Sequence, residues 1–295
     1  MNYLWVVFVV LAALGQTARN AMQRELTASL GAAGATHVRF LFGFPFALLF
    51  LAGVSFFTHD LLPYTNRLFW EWDIAGAISQ IFGTAMMLAT MEERSFVVGI
   101  AYSKTEPIFV AIFGLVFLGD ALSLGLVASI LIATAGVMAI SYRPGVKMAL
   151  RPALLGLGAG AAFGVSAVGY RGAILSLSDP HYLMAATFTL AIGLFLQAAL
   201  LTTWLGVRAP GVLVSIAKLW KQSILAGFMG AAASQFWFLA FALATAASVR
   251  TLGLIDVLFA QIVSHFVFKQ PTAKREAIGI ALLVAGAGLL VWVQA

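Results

Sequence analysis

Long apolar runs separated by short polar breaks occupy the chain from Leu4 to Val293. A helix that crosses a bilayer needs about 20 predominantly apolar residues. Stretches of that order fall at 4–25, 35–57, 72–91, 95–118, 122–142, 154–175, 182–205, 224–243, 246–268 and 277–293. The pattern predicts an all-α integral membrane protein with ten transmembrane helices. Two connections, 58–71 and 206–222, are longer than the rest and carry Pro63 and Pro210. The stretch from Arg143-Pro144-Gly145 to Arg151-Pro152 divides the chain into halves, 1–145 and 146–295, with five expected spans each.

The halves read as a repeat. A shift of 150 residues lays Glu106 on Asp256, Phe109 on Phe259, Ile112 on Ile262, Ala135 on Ala285 and Gly136 on Gly286. Because five is odd, the second half must enter the membrane from the opposite side. The expected architecture is therefore two inverted five-helix repeats, an arrangement common among secondary transporters.

Composition agrees with the pattern. The chain is 62% apolar and 9% charged, where a soluble domain has roughly 45–50% apolar and about 25% charged residues. Ten spans leave no length for a soluble catalytic domain. The absence of cysteine excludes disulfides, iron–sulfur clusters and thiolate metal sites. An excess of basic over acidic residues, 17 to 11, would suggest nucleic acid in a soluble protein. In a membrane protein it reads as topology and as charge within the bilayer, so no nucleic-acid partner is expected. Polar Gln16, Thr17, Arg19 and Asn20 follow the first apolar run where a cleavage site would need small residues, so that run is expected to remain as a span.

Five basic residues fall inside the expected spans: Arg19, Arg39, Lys104, Arg171 and Arg250. A charge at the bilayer centre costs about 2.5–3.5 kcal/mol on insertion scales, so such residues face a partner or a wet cavity. Glu106 and Asp256 are the acids near the middles of spans four and nine. On a regular helix Lys104 and Glu106 point about 200° apart and must seek partners on other helices. One outcome is a purely structural ion pair between these acids and Lys104, Arg250, Arg39 or Arg19. The other makes Glu106 and Asp256 candidates for proton coupling, Glu106 foremost because Tyr102, Ser103 and Pro107 adjoin it. The surplus cations then meet a carboxylate or phosphate on a substrate. Candidate substrate-binding residues are Arg19, Arg39, Gln80, Tyr102, Lys104, Gln235, Trp237 and Arg250. Gln16, Asn20, Thr84 and Ser234 serve equally well as polar stitches between helices. His37, His181 and His265 lack a metal-binding spacing, and Gly156, Gly160 and Gly164 form a small-residue stripe suited to close packing.

The segment Glu106-Pro107-Ile108-Phe109-Val110-Ala111, continued by Leu118-Gly119-Asp120-Ala121-Leu122-Ser123, resembles the EamA domain of the drug/metabolite transporter superfamily. Asp120 stands where that family has an acidic turn residue. The second copy departs from the pattern, with Val257 in place of the proline and Phe268-Lys269-Gln270-Pro271 in place of the acidic turn. Leu14 and Phe163 lie near the place of a tryptophan often seen in such repeats. The resemblance spans essentially the whole chain and implies ten spans and metabolite transport, with no cofactor.

The expected function is a secondary active transporter, an exporter, of a small metabolite such as an amino acid or organic anion, working by alternating access around a midplane cavity. The alternative is a proton-coupled multidrug cation exporter, in which Glu106 binds drug and proton in turn. An intramembrane enzyme is the remote alternative, because no His-Glu-x-x-His motif, paired Asp-rich motif or complete nucleophile elbow occurs in the sequence, and the lack of an ATP-binding phosphate loop argues against a primary pump. The partners expected are the small-molecule substrate, the lipid bilayer and protons as coupling ion, in a cell membrane such as a bacterial inner membrane.

Loop charges set the orientation. Arg24, Arg94, Arg143, Lys147, Arg151, Arg208, Lys218, Lys221, Lys269, Lys274 and Arg275 share one side, against Arg67 on the side of the termini. The positive-inside rule puts the 143–152 linker in the cytoplasm and Ala295 outside it, although the resembling family more often has cytoplasmic termini. A fluorescent reporter that matures only in the cytoplasm, fused after Ala295, should stay dark; bright cells would reverse the orientation.

Overall fold

Helices form every regular element of the computed structural model, which describes residues 3–92, 101–142, 150–177, 181–266 and 274–294. Within those residues, the side chains at 21, 24, 91, 92 and 263–266 are not described. The elements are α1 (Leu4–Thr58), α2 (Arg67–Glu92), α3 (Glu106–Phe113) with a π-helical turn (Gly114–Leu118), α4 (Leu124–Ser141), α5 (Leu150–Ser176) and α6 (Tyr182–Arg208). They continue with α7 (Pro210–Lys218), α8 (Trp220–Leu243), α9 (Ala246–Gly253), α10 (Asp256–Phe266) and α11 (Lys274–Val293).

Among the described residues, seven helical segments are long and apolar enough to cross a membrane: Glu25–Thr58, Ala101–Leu118, Leu124–Ser141, Leu150–Ser176, Tyr182–Arg208, Trp220–Leu243 and Lys274–Val293. Leu4–Asn20 is apolar but shorter. Polarity is distributed as in a membrane protein. Large apolar side chains such as Phe57, Phe82, Leu124 and Trp292 cover the exterior, while Arg19, Arg39, Asp73, Gln80, Gln197 and Asp256 are buried.

The first two expected spans run together as α1, divided at Gly31, whose left-handed φ of 68° breaks the helical path between them. Pro45 lies inside the second leg of α1. The expected loop 206–222 is largely helical, because Pro210 opens α7 at a position where its missing N–H is not needed. Expected features at Arg94, Arg143-Pro144-Gly145, Lys147 and Phe268-Lys269-Gln270-Pro271 lie outside the described residues, as do the side chains of Arg24 and His265.

Two expected spans are not continuous. The helical path is interrupted at Lys104-Thr105, just before α3, and again at Leu254-Ile255, between α9 and α10. The Lys104 and Thr105 amides donate to the Ala101 and Tyr102 carbonyls at 3.0 and 3.1 Å, and the Ile108 amide donates to Thr105 at 3.0 Å. The same tight bonds join Leu254 to Thr251, Ile255 to Leu252 and Leu258 to Ile255, at 3.2, 3.1 and 2.9 Å. Glu106 and Asp256 thus each begin a half-helix, where the positive end of the helix dipole favours a carboxylate. Across the Leu254-Ile255 break, regular helical spacing does not relate Asp256 to the residues before it.

Small residues set the packing around the breaks. A Cβ on Gly160 of α5 would lie 3.1 Å from the Ser103 carbonyl and 3.4 Å from the Glu106 amide, and one on Gly164 would lie 2.9 Å from Phe109 Cβ. The glycine stripe is therefore the surface on which the first break rests. Elsewhere, α4 packs on α11: a Cβ on Gly136 would meet the Leu283 amide at 2.6 Å, and one on Gly286 would meet Ala133 at the same distance.

Candidate functional site

A cavity of about 160 Å3 lies between the two breaks. Its wall takes Gln16, Arg19 and Asn20 from the first leg of α1 and Arg39 from the second. The break before α3 adds Ser103, Lys104 and Glu106, α8 adds Ser234, Trp237 and Phe238, and α9 adds Arg250; Gln80, Met87, Phe163, Tyr170 and Phe241 complete it. Four of these side chains are cationic, and Glu106 is the carboxylate among them.

The acids and bases exchange partners between the halves. Lys104 Nζ donates to Asp256 Oδ2, and Arg250 Nε lies 2.7 Å from Glu106 Oε1, an ion pair rather than an aligned hydrogen bond. Lys104 and Glu106 therefore reach different partners, on opposite sides of the second break. Gln16 Nε2 donates to Asp256 Oδ2 at 3.1 Å, and Trp237 Nε1 donates to Gln16 Oε1 at 3.2 Å. One polar chain thus ties α8, α1, α10 and the first break together. The Arg250 guanidinium also sits 4.6 Å from the Trp237 ring centroid and 5.6 Å from that of Phe241, so aromatic faces shield a cation whose counter-ion lies on another helix. Gly253 makes this possible, since a Cβ there would overlap the Trp237 ring at 2.5 Å.

Arg19 and Arg39 are held differently. Arg39 Nη1 donates to Thr84 Oγ1 at 3.1 Å and Nη2 to Ser234 Oγ at 3.5 Å; Arg19 Nη2 donates to Asn20 Oδ1 at 2.9 Å. These are neutral acceptors, and neither guanidinium has an ion-pair partner of its own among the described residues.

The cavity brings together Arg19, Arg39, Gln80, Lys104, Glu106, Trp237 and Arg250, with Asp256 directly behind Lys104 and Gln16. Two expected binding residues stand apart. Tyr102 is not in the cavity wall, and its carbonyl accepts from the Thr105 hydroxyl at 2.7 Å, within the break itself. Gln235 points away from the cavity, donates to Thr187 Oγ1 at 2.7 Å and borders an apolar groove at Phe57 and Phe228. Being next to Ser234 on a helix turned it to another face. Arg171 also stands apart from the cations of the cavity wall. It donates to the carbonyls of Phe241, at 2.6 Å, and Ala244, satisfying the C-terminal end of α8.

Sequence reading passed over Tyr170 as a ligand and Asp73 altogether. Gln197 Nε2 donates to the Tyr170 hydroxyl at 2.9 Å and to Gln80 Oε1 at 2.8 Å. Asp73 is fully buried near Tyr170, and neither of its oxygens has a hydrogen-bond partner among the described residues. It is the second residue of the expected span 72–91, at the edge of an apolar run.

No family model matches the chain, and no curated protein does. A solved structure described as "Crystal structure of protein" superposes with a TM-score of 0.76 at 16% identity, covering 98% of this chain and 96% of the other. At that identity the likeness concerns the fold alone. No group of His, Cys, Asp and Glu fit to hold a metal occurs among the described residues.

Removing one member of a buried pair leaves an uncompensated charge, at a cost of about 3–5 kcal/mol. Glu106→Gln should lower the melting temperature of the detergent-purified protein, and Glu106→Gln combined with Arg250→Gln should recover most of the loss. A single variant melting with the wild type would show that the pair contributes nothing to stability.

Proposed function

We propose that the protein is a secondary active transporter of a small metabolite, an amino acid or organic anion, which reaches the cavity between the broken helices alternately from the two sides of the membrane. The observation that carries this reading is the pair of helix breaks, Lys104-Thr105 and Leu254-Ile255, flanking a buried cation-rich cavity. Discontinuous helices that meet at a polar site are a recurring device of transporters, because unwound backbone and half-helix ends supply binding groups without net charge.

The same breaks support the inverted repeat. They lie 150 residues apart, as do three hydrogen bonds that define them. The contact of Gly136 with Leu283 and that of Ala133 with Gly286 are interchanged by the same shift, as a two-fold axis between the halves requires. We read the chain as ten spans, with α2 as the third and α9 with α10 as the ninth. In this reading the chain is EamA-like, belongs to the drug/metabolite transporter superfamily and resides in a cell membrane, as an exporter.

Glu106 and Asp256 are the coupling candidates. Each is bound to a cation; a substrate anion would compete with the acid for that cation and a proton would compete with the cation for the acid, so protonation of an acid would release Lys104 or Arg250 toward the cavity. A multidrug cation exporter fits the site poorly: Arg19 and Arg39 would repel an organic cation at close range in a medium of low dielectric.

The test is counterflow and gradient-driven uptake of a labelled metabolite panel in vesicles reconstituted with the purified protein, with and without a pH gradient. Wild-type protein should accumulate an anionic or zwitterionic solute. Glu106→Gln should lose gradient-driven accumulation yet keep exchange, and Asp256→Asn should mainly reduce the amount of folded protein. Accumulation of organic cations alone would overturn the proposal, and undiminished gradient-driven transport by Glu106→Gln would remove Glu106 from coupling.

A further inference from the structure

Lys104 and Arg250 are neutralised across the cavity by Asp256 and Glu106. Arg19 and Arg39 are not, and each is only 3% exposed. Their stems pass on either side of Gly230, where a Cβ would lie 3.3 Å from Arg39 Cγ and 3.6 Å from Arg19 Cδ. Two like-charged side chains thus run close together and are almost wholly buried. Both line the cavity, and among the described residues Arg19 Nε and Nη1 and Arg39 Nε, all buried, have no hydrogen-bond partner. Asp73 supplies no counter-charge here, since it approaches Tyr170 and is not part of the cavity wall.

We infer that the cavity takes a compact, doubly charged anion, either a dicarboxylate or a phosphoryl group, bound between the Arg19 and Arg39 guanidinium groups. This inference rests on the transporter reading of the same cavity and narrows its substrate class. A monoanion would leave one guanidinium uncompensated in a low-dielectric site. A zwitterionic amino acid would bring a third cation toward the two already there. Two negative charges match the surplus, and planar guanidinium forks suit carboxylate and phosphate oxygens alike. The volume of about 160 Å3 sets the size. A cavity of about 150 Å3 accommodates benzene, so the site admits a solute of roughly six to ten non-hydrogen atoms and excludes a nucleotide.

The experiment is calorimetric titration of the full-length protein in nanodiscs at mildly alkaline pH, with succinate, inorganic phosphate, lactate and alanine as the four probes. Succinate or phosphate should bind at least about tenfold more tightly than lactate and alanine. Succinate alone would assign the dicarboxylate, and phosphate alone the phosphoryl group. Arg19→Gln and Arg39→Gln should each lower the affinity for the preferred dianion about tenfold or more and bring it level with that for lactate. The wild-type preference is read without any variant, so a variant that fails to fold does not decide the matter. Lactate or alanine binding as tightly as both dianions, or dianion binding indifferent to both substitutions, would overturn the dianion and leave the transporter standing. Absence of binding by all four probes, together with absence of exchange for any solute of the vesicle panel, would overturn both.

Discussion

Charge buried without enough counter-charge is the condition around which the centre of this protein is organised. Four cations line one small cavity, and two carboxylates answer them, Glu106 in the wall and Asp256 behind it. In a bilayer interior such a surplus is tolerated only where each charge has donors, acceptors or aromatic faces arranged about it. The arrangement draws on distant parts of the chain: Asn20, Thr84 and Ser234 hold the unpaired guanidinium groups, and Trp237 and Phe241 flank Arg250. A fold that needs only stability has no use for Arg19 and Arg39 side by side, since apolar residues of similar volume would pack there at lower cost.

The broken helices follow from the same condition. A continuous helix presents only side chains, whereas a break turns backbone groups and a half-helix N-terminus toward the site. Placing Glu106 and Asp256 at the first residues of α3 and α10 lets the dipole of each half-helix favour the carboxylate that in turn holds a cation. Glycines make room for this irregular backbone. Gly160 lets α5 approach the first break, Gly253 admits the Trp237 ring beside the second, and Gly230 lets two arginine stems pass. The polar centre and the small residues of the neighbouring helices are two sides of one packing solution.

Much of this was legible in the sequence. The apolar runs mark the helices, and the intramembrane cations with Glu106 and Asp256 mark the cavity, because charges within apolar runs have few places to go. What was hidden depends on angle and interruption. Leu254-Ile255 carries no glycine or proline, so nothing in its composition announces a break, and the Pro107 that follows the first break has no counterpart at Val257. Gln235 lies outside the cavity wall because adjacent helical residues face different ways, while Gln16 stands at the junction of Trp237 and Asp256. Asp73 escaped notice because an acid near the end of an apolar run looks interfacial, although tertiary packing encloses it completely.

The central claim is that the cavity opens to each side of the membrane in turn. The chain contains no cysteine, so a single introduced thiol reports without background. Ser234 lies in the cavity wall and is only 3% exposed, which makes Ser234→Cys the most direct probe. Its rate of modification by a small anionic, membrane-impermeant thiol reagent would be measured in right-side-out and in inside-out vesicles. The account predicts modification from both sides, slowed by a saturating substrate anion. Modification from one side only, or from neither, would contradict it.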